Sequence, residues 1–290
     1  PIINCYIAPD FDYSGRDLTA YFTKLRNNRL KNVIDSEFVV EAYRSVVPDG
    51  IEKRDAILPK YDDGRTALLI VDGLGAEYFP LLINLAKQNN LNIQEKRIVE
   101  VNLPTSTDFN HIKWSAGNEL QQVKRVDAIS HEGYAKHEKC NFEDNLTELF
   151  LLFQKTILTR VVSGLKDYDR VIVTADHGSS YLAVTAYQNN LTNTLSWDNP
   201  QDWRYSSLVN ATECSDDLEI VYLPSSGLTY YVVKGYNRLP KQGGKLYGLH
   251  GGATLEERLV PFVVFTRNAT EEAVVEKPIE QFEESDDFDI

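Results

Sequence analysis

The chain has 290 residues, 42% of them hydrophobic and 25% charged, with a formal net charge of −13. This is ordinary globular composition, which excludes a wholly disordered chain, a collagen-like repeat and a disulfide-dense miniprotein. The length allows one large domain or a domain with an appendage.

The apolar runs, such as 259–265, fall far short of the roughly 20 residues that span a bilayer, so no membrane segment is expected. The charge is uneven. Residues 271–290 hold nine carboxylates and one lysine, which leaves the body close to neutral and free to carry a local basic patch for a phosphorylated ligand. Cys5, Cys140 and Cys214 are scattered, without C-x-x-C spacing, and fit a reducing cytosol better than a disulfide framework. The start, Pro1-Ile2-Ile3-Asn4-Cys5, lacks the basic region of a signal peptide. It also lacks a starting methionine, so the chain is expected to be a cytoplasmic piece of a longer protein.

Residues 1–62 read as a helical lead-in, with Leu18, Tyr21, Phe22, Leu25, Leu30 and Val33 near helical intervals within 17–47. Pro48-Asp49-Gly50 would end it, because proline cannot continue a helix and Asp-Gly favours a turn. The segment is either the stub of an upstream domain or an extra helical layer on the same one. From Arg65 short strands alternate with helices, and 63–270 is expected to form one unit. Strands are predicted at 66–71, 97–101, 123–129 and 170–174, with helices at 75–89 and 140–165. The alternation predicts a layered α/β/α fold with a mostly parallel central sheet. Ligands bind such sheets beyond the carboxyl ends of the strands.

Residues 186–228 break the rhythm as a long insertion rich in Asn, Thr, Ser and Asp, carrying Trp197, Trp203, Tyr205 and Tyr222. A loop this long inside a compact domain is usually functional or disordered. The aromatics serve either as stacking faces or as the insertion's own small core. Strands resume at 229–233 and 259–265, and the acidic tail 271–290 is expected to dangle.

The chemistry sits where apolar strands end. Strand 66–71 runs into Asp72-Gly73, and strand 170–174 into Ala175-Asp176-His177-Gly178. One such Asp serves equally well as a helix cap, but an Asp-His pair offers two first-row metal ligands. Asp127 and His131 stand four apart, on one face if the segment turns helical. His250 lies in Tyr247-Gly248-Leu249-His250-Gly251-Gly252, where glycines let the backbone come close to a metal or anion. His137 is a rival ligand to His131. The stretch Leu103-Pro104-Thr105-Ser106-Thr107-Asp108-Phe109-Asn110-His111 carries hydroxyls that would cap a helix at Ser106 or Thr107, at a helix end that also attracts phosphate.

Taken in order, Asp72, Pro-Thr-Ser-Thr at 104–107, Asp127-x-x-x-His131, Thr-Ala-Asp176-His177-Gly and His250 resemble the alkaline phosphatase superfamily, especially its nucleotide pyrophosphatase/phosphodiesterase branch. Val71-Asp72-Gly73-Leu74-Gly75, Thr174-Ala175-Asp176-His177-Gly178-Ser179-Ser180 and His250-Gly251-Gly252-Ala253-Thr254-Leu255-Glu256-Glu257 are similar to the PglZ proteins of BREX phage-defence systems. The resemblance covers roughly residues 64–268.

It implies two divalent ions, zinc or manganese. One would be held by Asp72, Asp176, His177 and a nucleophilic Thr107, the other by Asp127, His131 and His250. It also implies that Asn110 holds a nonbridging phosphate oxygen. The chain departs from the phosphodiesterase branch at Asp108-Phe109.

Lys234, Arg238, Lys241 and Lys245 lie close together just before His250 and read either as a solvated loop or as a basic rim for a phosphodiester backbone. Three functions fit. The first is a phosphodiesterase or nuclease acting on nucleic acid or nucleotides. The second is a phosphomonoesterase with the same centre. The third is a non-catalytic scaffold working with other phage-defence proteins.

Overall fold

The computed structural model describes residues 2–13, 15–115, 117–132, 142–207, 216–242 and 247–267. Cys140, Cys214, His137, Lys245 and the acidic tail fall outside them. In chain order the elements are α1 (Ile2–Ile7), α2 (Arg16–Lys31), α3 (Ser36–Arg44), α4 (Arg54–Ile57), β1 (Thr66–Ile70), α5 (Phe79–Gln88), β2 (Asn92–Glu100), α6 (Arg125–Glu132) and α7 (Phe142–Leu152). Then follow α8 (Thr159–Asp167), β3 (Arg170–Thr174), α9 (Tyr181–Gln188), β4 (Tyr205–Ser206), β5 (Leu218–Leu223), β6 (Leu228–Val233), α10 (Leu255–Arg258) and β7 (Leu259–Thr266).

The expected helical stretch 17–47 is two helices. Asn32 closes α2 in the left-handed conformation (φ 51°, ψ 44°), and Asp35 opens α3 by accepting from the Phe38 amide at 2.6 Å. Both are ordinary capping solutions for otherwise unsatisfied backbone groups. The expected helix 140–165 corresponds to α7 and α8, joined by a π-helical turn at Phe153–Leu158.

The main sheet has the order β1-β3-β7-β2. β1 and β3 pair in parallel, with Thr66 opposite Arg170, whereas β7 runs antiparallel to both β3 and β2. The expectation of a mostly parallel sheet is therefore corrected: two of its three ladders are antiparallel. β1, β3 and β2 all point the same way, and the single reversed strand lies between the last two. Its reversal follows from where it begins. Gly178, just past β3, donates its amide to the Glu257 carbonyl of α10 at 3.0 Å. β7 thus starts at the carboxyl end of β3 and can only run back.

The predicted strand 123–129 is also corrected. Only Val123 bridges to Val71, and α6 takes over at Arg125. Val126 and Ile129 are buried at 0% and 3% exposure, and with Val123 they recur every three residues, which is a helical rather than a strand period.

The insertion and strand 229–233 do not extend the main sheet. β4, β6 and β5 form a separate antiparallel sheet in that order. Trp197, Leu218, Val233 and Leu239 make a small core on one side, while Tyr230 and Val232 pack with Leu103 and Phe109 on the other. Trp197 is thus the insertion's own core. One large apolar cluster joins Tyr6, Phe22, Leu25 and Phe38 of the first 62 residues to Leu68, Val173 and Phe262 of the sheet. No helix among the described residues is long and apolar enough to cross a membrane.

Candidate metal centre

Three aspartates meet at the edge where β1 and β3 end. The Asp72 amide donates to Val123 O at 2.9 Å, and the Asp127 amide donates to Asp72 O at 3.1 Å, so the first turn of α6 is tied to the end of β1. This close approach needs Gly73. Its φ is +73°, and a Cβ there would lie 2.9 Å from the Asp127 Cα. Asp176 Oδ1 accepts the amides of Gly73 (3.3 Å) and His177 (3.1 Å). The Thr107 hydroxyl donates to Asp176 Oδ2 at 2.6 Å and lies 3.3 Å from His177 Nε2.

His177 is fully buried, and its Nδ1 lies 3.1 Å from the Gly178 carbonyl. A carbonyl only accepts, so Nδ1 carries a proton and Nε2 is the ring nitrogen turned to the aspartates. That nitrogen is 3.6 Å from both Asp72 Oδ1 and Asp176 Oδ2. His250 enters through Leu249, which exchanges backbone hydrogen bonds of 3.0 and 2.6 Å with Ser180. Its Nε2 lies 2.9 Å from His131 Nε2 and 3.9 Å from Asp127 Oδ1, and His131 Nε2 lies 3.4 Å from Asp127 Oδ2. The His177 and His250 rings stack with centroids 4.1 Å apart.

The donor set suits divalent cations. Asp72 Oδ1 and Asp127 Oδ1 are buried without hydrogen-bond partners. Two groups, Asp72/Asp176/His177 and Asp127/His177/His250, bring their ligand atoms within 4.8 Å of one another. His177 belongs geometrically to both, and His131 stands beside the second.

Electrostatics point the same way. Burial, then Asp176 and Asp127, push the Asp72 carboxyl up to about 7. Burial also acts to raise Asp127, but the facing His131, His250 and His177 hold it below its usual range. Burial and then His177 hold His250 well below the ordinary imidazole value. The hydrogen bond to Asp127 raises His131. Crowded carboxylates with two imidazole nitrogens face to face are costly unless a cation lies among them.

Other expected residues have different roles. Asn110 is 1% exposed, and its amide is committed to its own loop: Oδ1 accepts from Asn102 N at 2.7 Å, and Nδ2 faces the carbonyls of Asn102, Pro104 and Ser106 at 3.0–3.2 Å. The expectation that it holds a phosphate oxygen is corrected, because both amide hydrogens are already used. The expected helix at Ser106–Thr107 is a single 3₁₀ turn, Thr107–Phe109, with no side-chain cap at Ser106.

The described residues of the expected basic rim have separate surroundings. Lys234 lines a groove with Glu100, Glu219 and Arg258; Arg238 stacks on Tyr187 at 3.1 Å; Lys241 bonds Gln201 O at 2.7 Å and faces Asp202 at 3.4 Å. Arg238 and Lys241 go to separate partners, and Lys245 lies outside the described residues. Of the insertion aromatics, Trp203 packs beside Arg238 at 5.1 Å, and Tyr205 reaches the centre. A Cβ on Gly251, next to His250, would lie 2.7 Å from the Tyr205 ring, and Phe109 meets that ring at 5.3 Å.

The quoted motifs also contain Gly178, Ser180, Glu256 and Glu257, to which no role was assigned, whereas Tyr21 and Arg204 lie outside them. Glu256 accepts from Ser180 Oγ at 2.7 Å and Tyr21 OH at 2.6 Å. Fully buried Arg204 pairs with Glu257 at 2.8 Å. Gly178 packs so tightly that a Cβ would overlap the Glu256 carbonyl and lie 2.8 Å from the Gly75 Cα. Gly178→Ala should therefore cost about 1–3 kcal/mol, read as a lowered denaturant midpoint; an unchanged midpoint would mean that the two loops are not in contact.

No family model matches the chain, and no curated protein matches it. Among solved structures the chain is similar to human ectonucleotide pyrophosphatase/phosphodiesterase 5, at a TM-score of 0.33 and 12% sequence identity. The match covers 52% of this chain and 48% of that one, so the chain spans about half of that protein's length.

Proposed function

We propose that the chain is a two-metal phosphoryl-transfer hydrolase that cleaves phosphodiesters, with Thr107 as nucleophile. Asp72, Asp176, His177 and Thr107 would hold one divalent cation, and Asp127, His131 and His250 the other; nitrogen and oxygen donors of this kind suit zinc or manganese. Such cations, when bound, lower the pKa of a coordinated hydroxyl and neutralise charge on the phosphoryl oxygens. The observation that carries the reading is the Thr107 hydroxyl, 2.6 Å from Asp176 Oδ2 and 3.3 Å from His177 Nε2, where all six Asp and His residues converge.

Asp176 Oδ2 is placed to receive the Thr107 proton as the Thr107 Oγ1–phosphorus bond forms and the leaving-group oxygen departs. Water then releases the phosphoryl group from Thr107. His177 keeps its orientation through Gly178, with Nε2 turned to the site.

Preference for a diester rests on the surroundings of Thr107. Half-buried Phe109, two residues from Thr107, and the Tyr205 ring it meets would offer an apolar wall to a second ester group. The motif resemblance to PglZ proteins supports a place in phage defence, with nucleic acid or a nucleotide derivative as substrate and other defence proteins as partners.

The test compares bis-(4-nitrophenyl) phosphate with 4-nitrophenyl phosphate on metal-loaded protein. We expect the diester to be favoured at least about tenfold in kcat/KM, a difference of about 1.4 kcal/mol in transition-state binding. A monoester preference would overturn the diester reading. Absence of turnover on both would overturn the hydrolase reading. Replacing Lys234, Arg238 and Lys241 together by alanine should change the salt slope of diester binding by less than about one unit, because one unit corresponds to one phosphate contact.

A further inference from the structure

The geometry points to Arg54, in the helical lead-in and outside every motif, as a positioning residue that sets Thr107 against Asp176. This rests on the hydrolase reading above. Arg54 is 0% exposed, and its guanidinium forks. Nη1 donates to the Ala175 carbonyl at 2.9 Å, and Nη2 donates to the Asn110 carbonyl at 3.0 Å. Ala175 directly precedes Asp176-His177, and Asn110 closes the single turn that carries Thr107. One side chain therefore spans the two loops whose meeting point is the Thr107–Asp176 hydrogen bond.

The fork is itself held in place. Arg54 Nε donates to Asp55 Oδ1 at 2.8 Å, and Asp55 Oδ2 accepts from Asn102 Nδ2 at 3.0 Å. Asn102 exchanges hydrogen bonds with Asn110. The preceding residues are pinned to the end of β2, where the Glu100 amide donates to Glu52 O at 3.0 Å. Buried backbone carbonyls at the ends of two loops need donors. Arginine alone presents two parallel donors in a rigid plane, whereas lysine offers a single point charge that cannot reproduce the fork. The 1–62 segment is on this account part of the catalytic unit.

The test uses Arg54→Lys on the whole chain, with Asp55→Ala as a second variant because Asp55 is exposed and its loss leaves the guanidinium present. Three quantities are read: kcat and KM on bis-(4-nitrophenyl) phosphate, cooperative melting, and the visible spectrum with cobalt(II) alone. For Arg54→Lys we expect kcat to fall about 100-fold, the size of effect that a displacement of ~1 Å produces, with KM within about threefold and a changed cobalt(II) spectrum. Asp55→Ala should lower kcat by a smaller factor, of about three to ten. A variant that melts earlier yet keeps wild-type kcat shows a purely structural arginine and overturns the proposal. If Arg54→Lys does not fold, an unchanged kcat in Asp55→Ala overturns it equally. If the wild type turns over neither ester, the hydrolase reading fails by itself, and an unaltered cobalt(II) spectrum in Arg54→Lys would then overturn the positioning role.

Discussion

Thr107→Ala should lower diester hydrolysis by at least about 1,000-fold, since removing a nucleophile removes the step that the rest of the site serves. The fold should survive. The Thr107 hydroxyl donates to Asp176 and lies beside His177, and Ser106, not Thr107, is the cap residue that precedes the 3₁₀ turn. Loss of one hydrogen bond costs roughly 0.5–1.5 kcal/mol, so melting should move only slightly. Thr107→Ser keeps the hydroxyl and should retain measurable turnover. A Thr107→Ala protein that melts earlier but hydrolyses at the wild-type rate would return Thr107 to a local structural role.

Metal should change stability strongly, and Asp72→Asn should reverse part of that change. A cation at 1,000 times its Kd adds about 4 kcal/mol for each site, which for a chain of this size is roughly 8–16 °C of melting temperature. A chelator should remove it. In metal-free protein the sign for Asp72 is opposite. Its carboxyl is pushed up to about 7 by burial and then by Asp176 and Asp127, above its unfolded value. Its ionised form therefore destabilises the fold near and above neutral pH, and that burden fades as pH falls towards the unfolded value. Asp72→Asn should raise the metal-free melting temperature at pH 8 and lower the metal-loaded one. A variant that lowers both equally would make Asp72 an ordinary structural carboxylate.

The Asp/His cluster was legible because its members obey a local rule. Asp72 and Asp176 each follow a buried apolar strand and sit next to or near a glycine, and parallel β1 and β3 deliver both to one edge. Asp127 and His131 were readable as an i, i+4 pair, although the helix that makes them one was read as a strand. The sheet's parallel character was misjudged because β7 looks like any buried strand. Its direction is decided by α10 docking beside Gly178, a contact between residues far apart in sequence.

Asn110 and the basic run show the converse. The resemblance implied a phosphate contact for Asn110 and the clustered charge suggested one for the basic run, but Asn110 spends its amide on its own loop, and Lys241 and Arg238 are taken up by Gln201, Asp202 and Tyr187. Arg54 could not be found from the sequence, because nothing about an arginine beside an aspartate announces carbonyl partners 56 and 121 residues away.

The most direct measurement is metal content, by mass spectrometry of protein equilibrated with zinc or manganese, together with anomalous scattering to place the ions. The account predicts two ions per chain about 4 Å apart, one against Asp72, Asp176, His177 and Thr107, the other against Asp127, His131 and His250. Saturation at one ion or none at millimolar free metal, or ions bound away from these residues, would contradict it.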